Sequence, residues 1–292
     1  MPMSATTPSP AGRVWFVTGA SRGLGRAFAE AALAAGDRVA AAARTAGALE
    51  ALAAEHGDRL LALPLDVTDR AAVHAAVDEA VRHFGRLDVV VNNAGFLAMG
   101  MVEEFTEAEA RAQMETNFFG ALWVSQAVLP HLRARRSGHI LQISSIGALA
   151  GFPLTGMYSA SKAALEGMSE ALAAEAAGFG VRLTVVEPGG YWTDLYTTGL
   201  AATEPMEEYA PLRAELEKQF AEGSSDSMPH LAAEAVMKLV DSEDPPLRLL
   251  LGGTAYDLAL DVSRRRAATW AAWEEVSRAA EHAVEAPEGY GS

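Results

Sequence analysis

Seven short β-prone runs alternate with helical stretches along this chain, and several of the runs are apolar at every position. A strand that is apolar on both sides must be covered on both faces, which a parallel sheet with a helical layer on each side provides. Strands are expected at 13–18, 38–43, 60–65, 87–91, 137–143, 181–186 and 247–251. Helices are expected at 23–35, 46–56, 69–84, 106–135, 156–177, 230–241 and 256–283. Gly36, Gly57 and Gly85 act as stops, and Pro130 bends the longest helix. The expected fold class is α/β, a doubly wound parallel sheet of seven strands. It forms a single domain over 13–284, with short tails at 1–12 and 285–292.

The stretch 191–228 breaks this rhythm. It is too long for an ordinary connection and carries Tyr191, Trp192, Tyr196, Tyr209 and Phe220, so it reads as a substrate-binding loop inserted in the domain. Leu97, Met99 and Met101, after the fourth strand, add apolar surface that suits a pocket for a bulky, apolar ligand.

Composition removes several classes of function. The excess of acids gives a net charge of −15, which repels phosphate backbones and anionic headgroups, so neither nucleic acid nor a membrane surface is an expected partner. The chain has no cysteine, which excludes disulfides, thiolate metal sites and cysteine nucleophiles, and no metal site is read. The first residues lack the charged start and apolar run of a secretory signal, and no apolar run approaches the ~18 residues of a membrane span, so a cytoplasmic location is expected.

The first strand leads into Thr18-Gly19-Ala20-Ser21-Arg22-Gly23-Leu24-Gly25. Glycines there allow a tight turn and close backbone approach to a pyrophosphate, and the helix that follows points free N–H groups at the anion. The spacing is G-x-x-x-G-x-G. In a dinucleotide fold, an acid at the end of the second strand would hold the ribose hydroxyls of NAD. Here Ala43 stands there, followed by Arg44, and Arg22 is a second cation nearby. Two guanidiniums without a carboxylate suit a 2′-phosphate, so NADP(H) is the expected cofactor. Asp37 lies before the strand and is not expected to reach the ribose.

Further on come Asp66-Val67, Asn92-Asn93-Ala94-Gly95, Tyr158-Ser-Ala-Ser-Lys162 and Pro188-Gly189. Together with the glycine loop, these resemble the short-chain dehydrogenase/reductase family over roughly 13–193, nearest the 17β-hydroxysteroid dehydrogenase-like branch and its bacterial relatives. The resemblance implies a Rossmann-type sheet. It implies Asp66 and the backbone of Val67 at the adenine, and Asn93, Ala94 and Gly95 along the cofactor. It sets Pro188, Gly189 and Thr193 near the nicotinamide. Asn92 is expected to be structural.

Tyr158 and Lys162 lie one helical turn apart on one face. An unperturbed phenol has a pKa of about 10, and a neighbouring ammonium lowers it toward useful proton exchange. Ser145 ends the fifth strand, and because a strand alternates faces, only one of Ser144 and Ser145 meets substrate; Ser145 is expected there. Asn117 lies inside the long helix, where asparagine is unfavourable, and is expected to open it locally and hold a water. The resemblance then implies hydride transfer between nicotinamide and a ketone or secondary alcohol. Tyr158 is the general acid/base, Ser145 binds the carbonyl oxygen, Lys162 tunes the tyrosine and grips the ribose, and Asn117 anchors the water. The alternative is a non-catalytic NADP(H)-binding regulatory protein of the same fold. The family's subunit contact, formed by helices such as 106–135 and 156–177, implies a homodimer or homotetramer.

Overall fold

The computed structural model describes residues 12–221 and 226–281. Seven strands form one parallel sheet: β1 (Val14–Thr18), β2 (Arg38–Ala43), β3 (Leu60–Pro64), β4 (Val89–Asn92), β6 (Gly138–Ile143), β7 (Val181–Pro188) and β9 (Arg248–Leu251). Their order across the sheet is β3-β2-β1-β4-β6-β7-β9. Every position of β1 is buried. Trp15 and Val17 enter one apolar layer, Val14 and Phe16 the other, as alternation along a strand requires. The first layer holds α1 (Gly23–Ala34), α2 (Glu50–His56) and α8 (Pro229–Asp241); the second holds α3 (Arg70–Phe84), α5 (Gly120–Arg135) and α6 (Gly156–Ala177). Alanine is a poor strand former, yet β2 (RVAAAA) pairs on both sides, because packing between sheet neighbours and helices decides such a strand.

The strand order reverses between β1 and β4, which both lead into loops at the same edge of the sheet. Side chains at such a switch point converge on one crevice.

The structure departs from expectation at several places. The long helix is not continuous: α4 (Glu107–Met114) passes through a π-helical turn at Glu115–Phe119 into α5. Two strands went unread: β5 (Leu97–Met99) and β8 (Leu200–Ala202) pair in parallel as a separate small sheet. The inserted stretch also carries α7 (Ala210–Ala221). The final helical region is divided into α9 (Gly253–Ala272) and α10 (Glu274–Ala279). Gly12, expected in a loose tail, accepts hydrogen bonds from Arg38 and Arg86 through its carbonyl and belongs to the domain. The expected tails 1–11 and 285–292, and the end of the domain at 282–284, lie outside the described residues.

Candidate functional site

A cleft of about 1230 Å³ opens at the carboxyl edge of β1, β4, β6 and β7. Its floor is the glycine turn after β1. Gly19 has φ +64°, and a Cβ there would stand 2.9 Å from Asn93 Nδ2 and 3.0 Å from Ala94 Cα. Only glycine takes that conformation without strain. Thr18 Oγ1 locks this turn to the end of β4 by accepting from the backbone N–H groups of Asn93 and Ala94, each at 3.0 Å. Asn93 Nδ2 completes the clamp by donating to the carbonyls of Thr18 at 2.9 Å and Gly19 at 3.2 Å. Gly95 is equally constrained, since a Cβ would sit 3.1 Å from Asn117 Oδ1.

Gly19, Ser21, Arg22, Gly23 and Leu24 line one end of the cleft. Arg44, Asp66 and Val67 line it beside them, and Asn93, Ala94, Gly95, Pro188, Gly189 and Thr193 continue along its length. Gly25 does not line it. This glycine is buried behind the turn, where a Cβ would meet Asn93 Nδ2 at 2.3 Å and the Gly19 carbonyl oxygen at 2.4 Å. Asp66 Oδ1 accepts from Thr68 N at 3.0 Å and Thr68 Oγ1 at 2.8 Å, so the residue both shapes its turn and faces the cleft. Asn92 is structural as expected: its amide donates to Ser125 Oγ at 3.2 Å and the Ala121 carbonyl at 3.4 Å.

The cationic end differs in detail from expectation. Ala43 is buried in the first apolar layer, and the rim is formed by Arg44 and Thr45. Arg22 reaches across to Thr198, so one guanidinium joins the glycine turn to the inserted loop. Asp37 is spent elsewhere, accepting from the Arg13 N–H and from Trp15 Nε1, each at 2.8 Å. The turn and the open groove together fit a nicotinamide dinucleotide.

Ser145, Tyr158 and Lys162 meet at the middle of the same cleft. Ser145 follows β6 in extended backbone; its Oγ accepts from Gly147 N at 3.1 Å and also hydrogen-bonds the Tyr158 hydroxyl. The neighbouring Ser144 points away and donates to Glu166 at 2.6 Å, so the two serines divide as alternation predicts. Lys162 is buried, donates to the Ile143 carbonyl at 2.8 Å, and places Nζ 5.7 Å from the centre of the Tyr158 ring. Burial pulls this lysine down to about 8, with Glu166 opposing.

Burial pushes the Tyr158 phenol up to about 12, while its hydrogen bond with Ser145 pulls the other way. Desolvation favours the neutral phenol in the chain by itself.

Asn117 sits in the π turn, where the backbone departs from regular α geometry. Its side chain is fully engaged: Oδ1 accepts from Phe96 N, and Nδ2 donates to the Phe96 carbonyl and to Ser161 Oγ, all at 3.1 Å. It lies behind the cleft wall, with its neighbour Thr116 at the surface.

The remaining wall is apolar. Leu97 and Met99 line it with Phe152, Leu200 and Leu216, whereas Met101, expected among them, is buried away from the cleft. Tyr191 and Tyr196 of the inserted loop reach the cleft; Trp192 lies outside it, and Tyr209 donates to Glu103 at 2.6 Å on the far side. Side-chain placement of Phe220 is outside the described residues. Glu104, unread in the sequence, anchors this loop. It accepts from Met101 N at 2.7 Å, Met206 N at 3.0 Å and Thr203 Oγ1 at 2.9 Å, and pairs with Arg213, whose guanidinium holds the carboxyl at about 2. No motif surrounds Glu104, and its partners Thr203, Met206 and Arg213 lie about a hundred positions away in the chain.

Among the described residues, no cluster of metal-ligating side chains occurs and no helix is long and apolar enough to cross a membrane. Residues 13–203 match the family model described as short chain dehydrogenase. An oxidoreductase of Botryotinia fuckeliana is 41% identical over 271 residues, covering 91% of this chain and 98% of that protein. The crystal structure of a short-chain dehydrogenase from Streptomyces avermitilis superposes with a TM-score of 0.88 at 41% identity, covering 94% of this chain and all of that one. A short chain dehydrogenase from Burkholderia cenocepacia, in complex with NADP, gives a TM-score of 0.72 at 30% identity, covering 89% and 96% of the two chains.

Proposed function

Because this chain belongs to the short-chain dehydrogenase family, we propose that it is an NADP(H)-dependent reductase of bulky, apolar ketones, acting in reverse on secondary alcohols. The observation that carries this reading is the convergence of Ser145, Tyr158 and Lys162 on a cleft whose other end is the glycine turn. When bound, the nicotinamide supplies or accepts the hydride. The chain's residues do the rest. Tyr158, a neutral phenol, donates its proton to the carbonyl oxygen as negative charge develops there. Ser145 turns its hydroxyl hydrogen to the same oxygen. Lys162 uses one N–H on Ile143 and keeps two, for a ribose hydroxyl and for the tyrosinate left after proton transfer.

A water returns the proton from solvent through Lys162. The side chain of Asn117 has no N–H left for that water, because both are used on Phe96 and Ser161. The acceptor that Asn117 offers is therefore its main-chain carbonyl within the π turn.

Substrate charge follows from the lining. Among the described residues, Arg22, Arg44 and Lys162 are the cations of the cleft, and all three face the cofactor path or the reacting centre. Met99, Phe152, Leu200 and Leu216 offer no partner for a carboxylate, so an uncharged substrate is favoured. Turnover of a ketone panel under NADPH tests the reading: apolar ketones should be reduced, and their carboxylate analogues poorly.

Preference for the phosphorylated cofactor is assigned to Arg44, and the NADP complex of the Burkholderia relative supports that choice. Loss of one charge-assisted hydrogen bond costs about 1.5–3 kcal/mol. Arg44→Ala should therefore lower kcat/KM for NADPH by about ten- to hundredfold and leave that for NADH nearly unchanged. An equal fall for both cofactors would remove Arg44 from this role. Self-association through α5 and α6 is proposed, and light scattering should give at least twice the 30.7 kDa of one chain.

A further inference from the structure

A buried acid pair lies behind the catalytic wall, and the mechanism above does not use it. Glu166 follows Lys162 by one turn on α6 and is 6% exposed; Glu187 is near the end of β7 and is 1% exposed. Both carboxyl groups turn onto the same nitrogen. Arg248 Nη1, from β9, donates to Glu166 Oε2 at 2.7 Å and to Glu187 Oε1 at 2.6 Å. Its Nε and Nη2 are taken by Glu170 Oε1 at 3.2 and 2.8 Å. Ser144 Oγ donates to Glu166 Oε1 at 2.6 Å, which links the pair to the strand end that presents Ser145. Two buried carboxyl groups thus face each other across one guanidinium nitrogen. Two ionised carboxylates so close in a buried site repel each other, which favours one proton shared between them. Among the described residues, the ionisable groups facing the pair are Lys162 and Glu170 on α6 and Arg248 on β9, while β6 contributes the Ser144 hydroxyl.

We propose that Glu166 and Glu187 share one proton at and below neutral pH and release it to solvent as the pH rises, and that the negative charge so gained keeps Lys162 protonated in the alkaline range. The pair is a positioning device that acts through Lys162, and its catalytic value rests on the role given to that lysine above. With the proton, one guanidinium balances one carboxylate and the core of the cluster is neutral. Without it, a second negative charge appears in the cluster whose member Glu166 lies one helical turn from Lys162, in a poorly screened interior. The sequence of ionisations suits this. Burial, reinforced by the charge of Glu166 and opposed by Arg248, pushes Glu187 up to about 7, just below the value of about 8 to which burial pulls Lys162.

Two measurements on the whole chain test the proposal, and neither depends on turnover. The first is thermal unfolding. A carboxyl raised from 4.5 to about 7 on folding gives stability that is full below pH 4.5 and is lost as the pH rises through 7. The Tm of the native protein should therefore fall across that window relative to Glu187→Gln, whose amide keeps the donor at every pH. Parallel Tm curves would overturn the shared proton. The second is NMR titration of protein labelled with 13Cε-lysine. Lysines occur only at 162, 218 and 238, so each resonance can be assigned by substitution. The Lys162 midpoint should fall by about half to one unit in Glu187→Gln and in Glu166→Gln, a three- to tenfold loss in proton affinity. An unmoved midpoint in a folded Glu187→Gln protein would overturn the coupling, even if ketone reduction itself were established. Conversely, absence of ketone turnover would leave the titration result standing and refute only the proposed function.

Discussion

Tyr158→Phe is expected to lower kcat for ketone reduction by at least ~100-fold, the scale of a lost general acid, while the Kd for NADPH stays within about twofold. The separation follows from what the hydroxyl touches. It hydrogen-bonds Ser145 and faces the cleft, whereas the glycine turn and rim cations that would hold the dinucleotide lie at the other end. Phenylalanine keeps the ring beneath Lys162 and removes only the proton. Folding should survive, because no residue other than Ser145 depends on this oxygen as a partner among the described hydrogen bonds. Stopped-flow NADPH oxidation gives kcat, and quenching of nucleotide fluorescence gives Kd. Loss of binding in parallel with kcat would make the tyrosine a structural support instead.

Gly25→Ala is expected to do the reverse, harming binding first. The added methyl would stand 2.3 Å from Asn93 Nδ2 and 2.4 Å from the Gly19 carbonyl oxygen. Neither neighbour yields easily: Asn93 Nδ2 is bonded to the Thr18 and Gly19 carbonyls, and Thr18 Oγ1 is bonded to the backbone of Asn93 and Ala94. The turn must move as a unit. Overpacking of this kind costs about 1–3 kcal/mol. If that cost falls on the turn, the Kd for NADPH rises about ten- to hundredfold, with a lower Tm and a kcat at saturating cofactor changed far less. Calorimetric titration separates the two effects. An unchanged Kd would mean that the turn tolerates displacement and does not carry the pyrophosphate.

How far the sequence disclosed this molecule depends on range. Continuous apolar runs and helix stops are local signals, so the seven-stranded parallel sheet and the bounds of α6 were legible. β2 was legible from its place in the alternation rather than from its alanines. The pairing of β5 with β8 was not, because each contributes three residues and they meet across a hundred positions of chain. Asn117 announced a helix irregularity through its poor propensity, and the π turn formed there. The same propensity said nothing of Phe96 or Ser161, which take up its side chain. Spacing on a helix reveals a neighbouring charge at Tyr158 but not the burial that raises its proton affinity. Ala43 shows the same limit: position in the chain put it at the ribose, and its side chain turns into the core. Glu104, Glu166 and Glu187 carried no motif. Their partners, Arg213 and Arg248, lie far along the chain, so only the folded arrangement reveals the loop anchor and the acid pair.

The most direct test is isotopic. The protein is incubated with a bulky, uncharged ketone and NADPH deuterated at nicotinamide C4 on one face, then in a second reaction on the other, and the alcohol is examined by mass spectrometry. Direct transfer predicts deuterium at the carbinol carbon from one face only, with the hydroxyl proton drawn from solvent. Alcohol free of deuterium from both, or no alcohol from any ketone in the panel, would contradict the assignment of this cleft to hydride exchange.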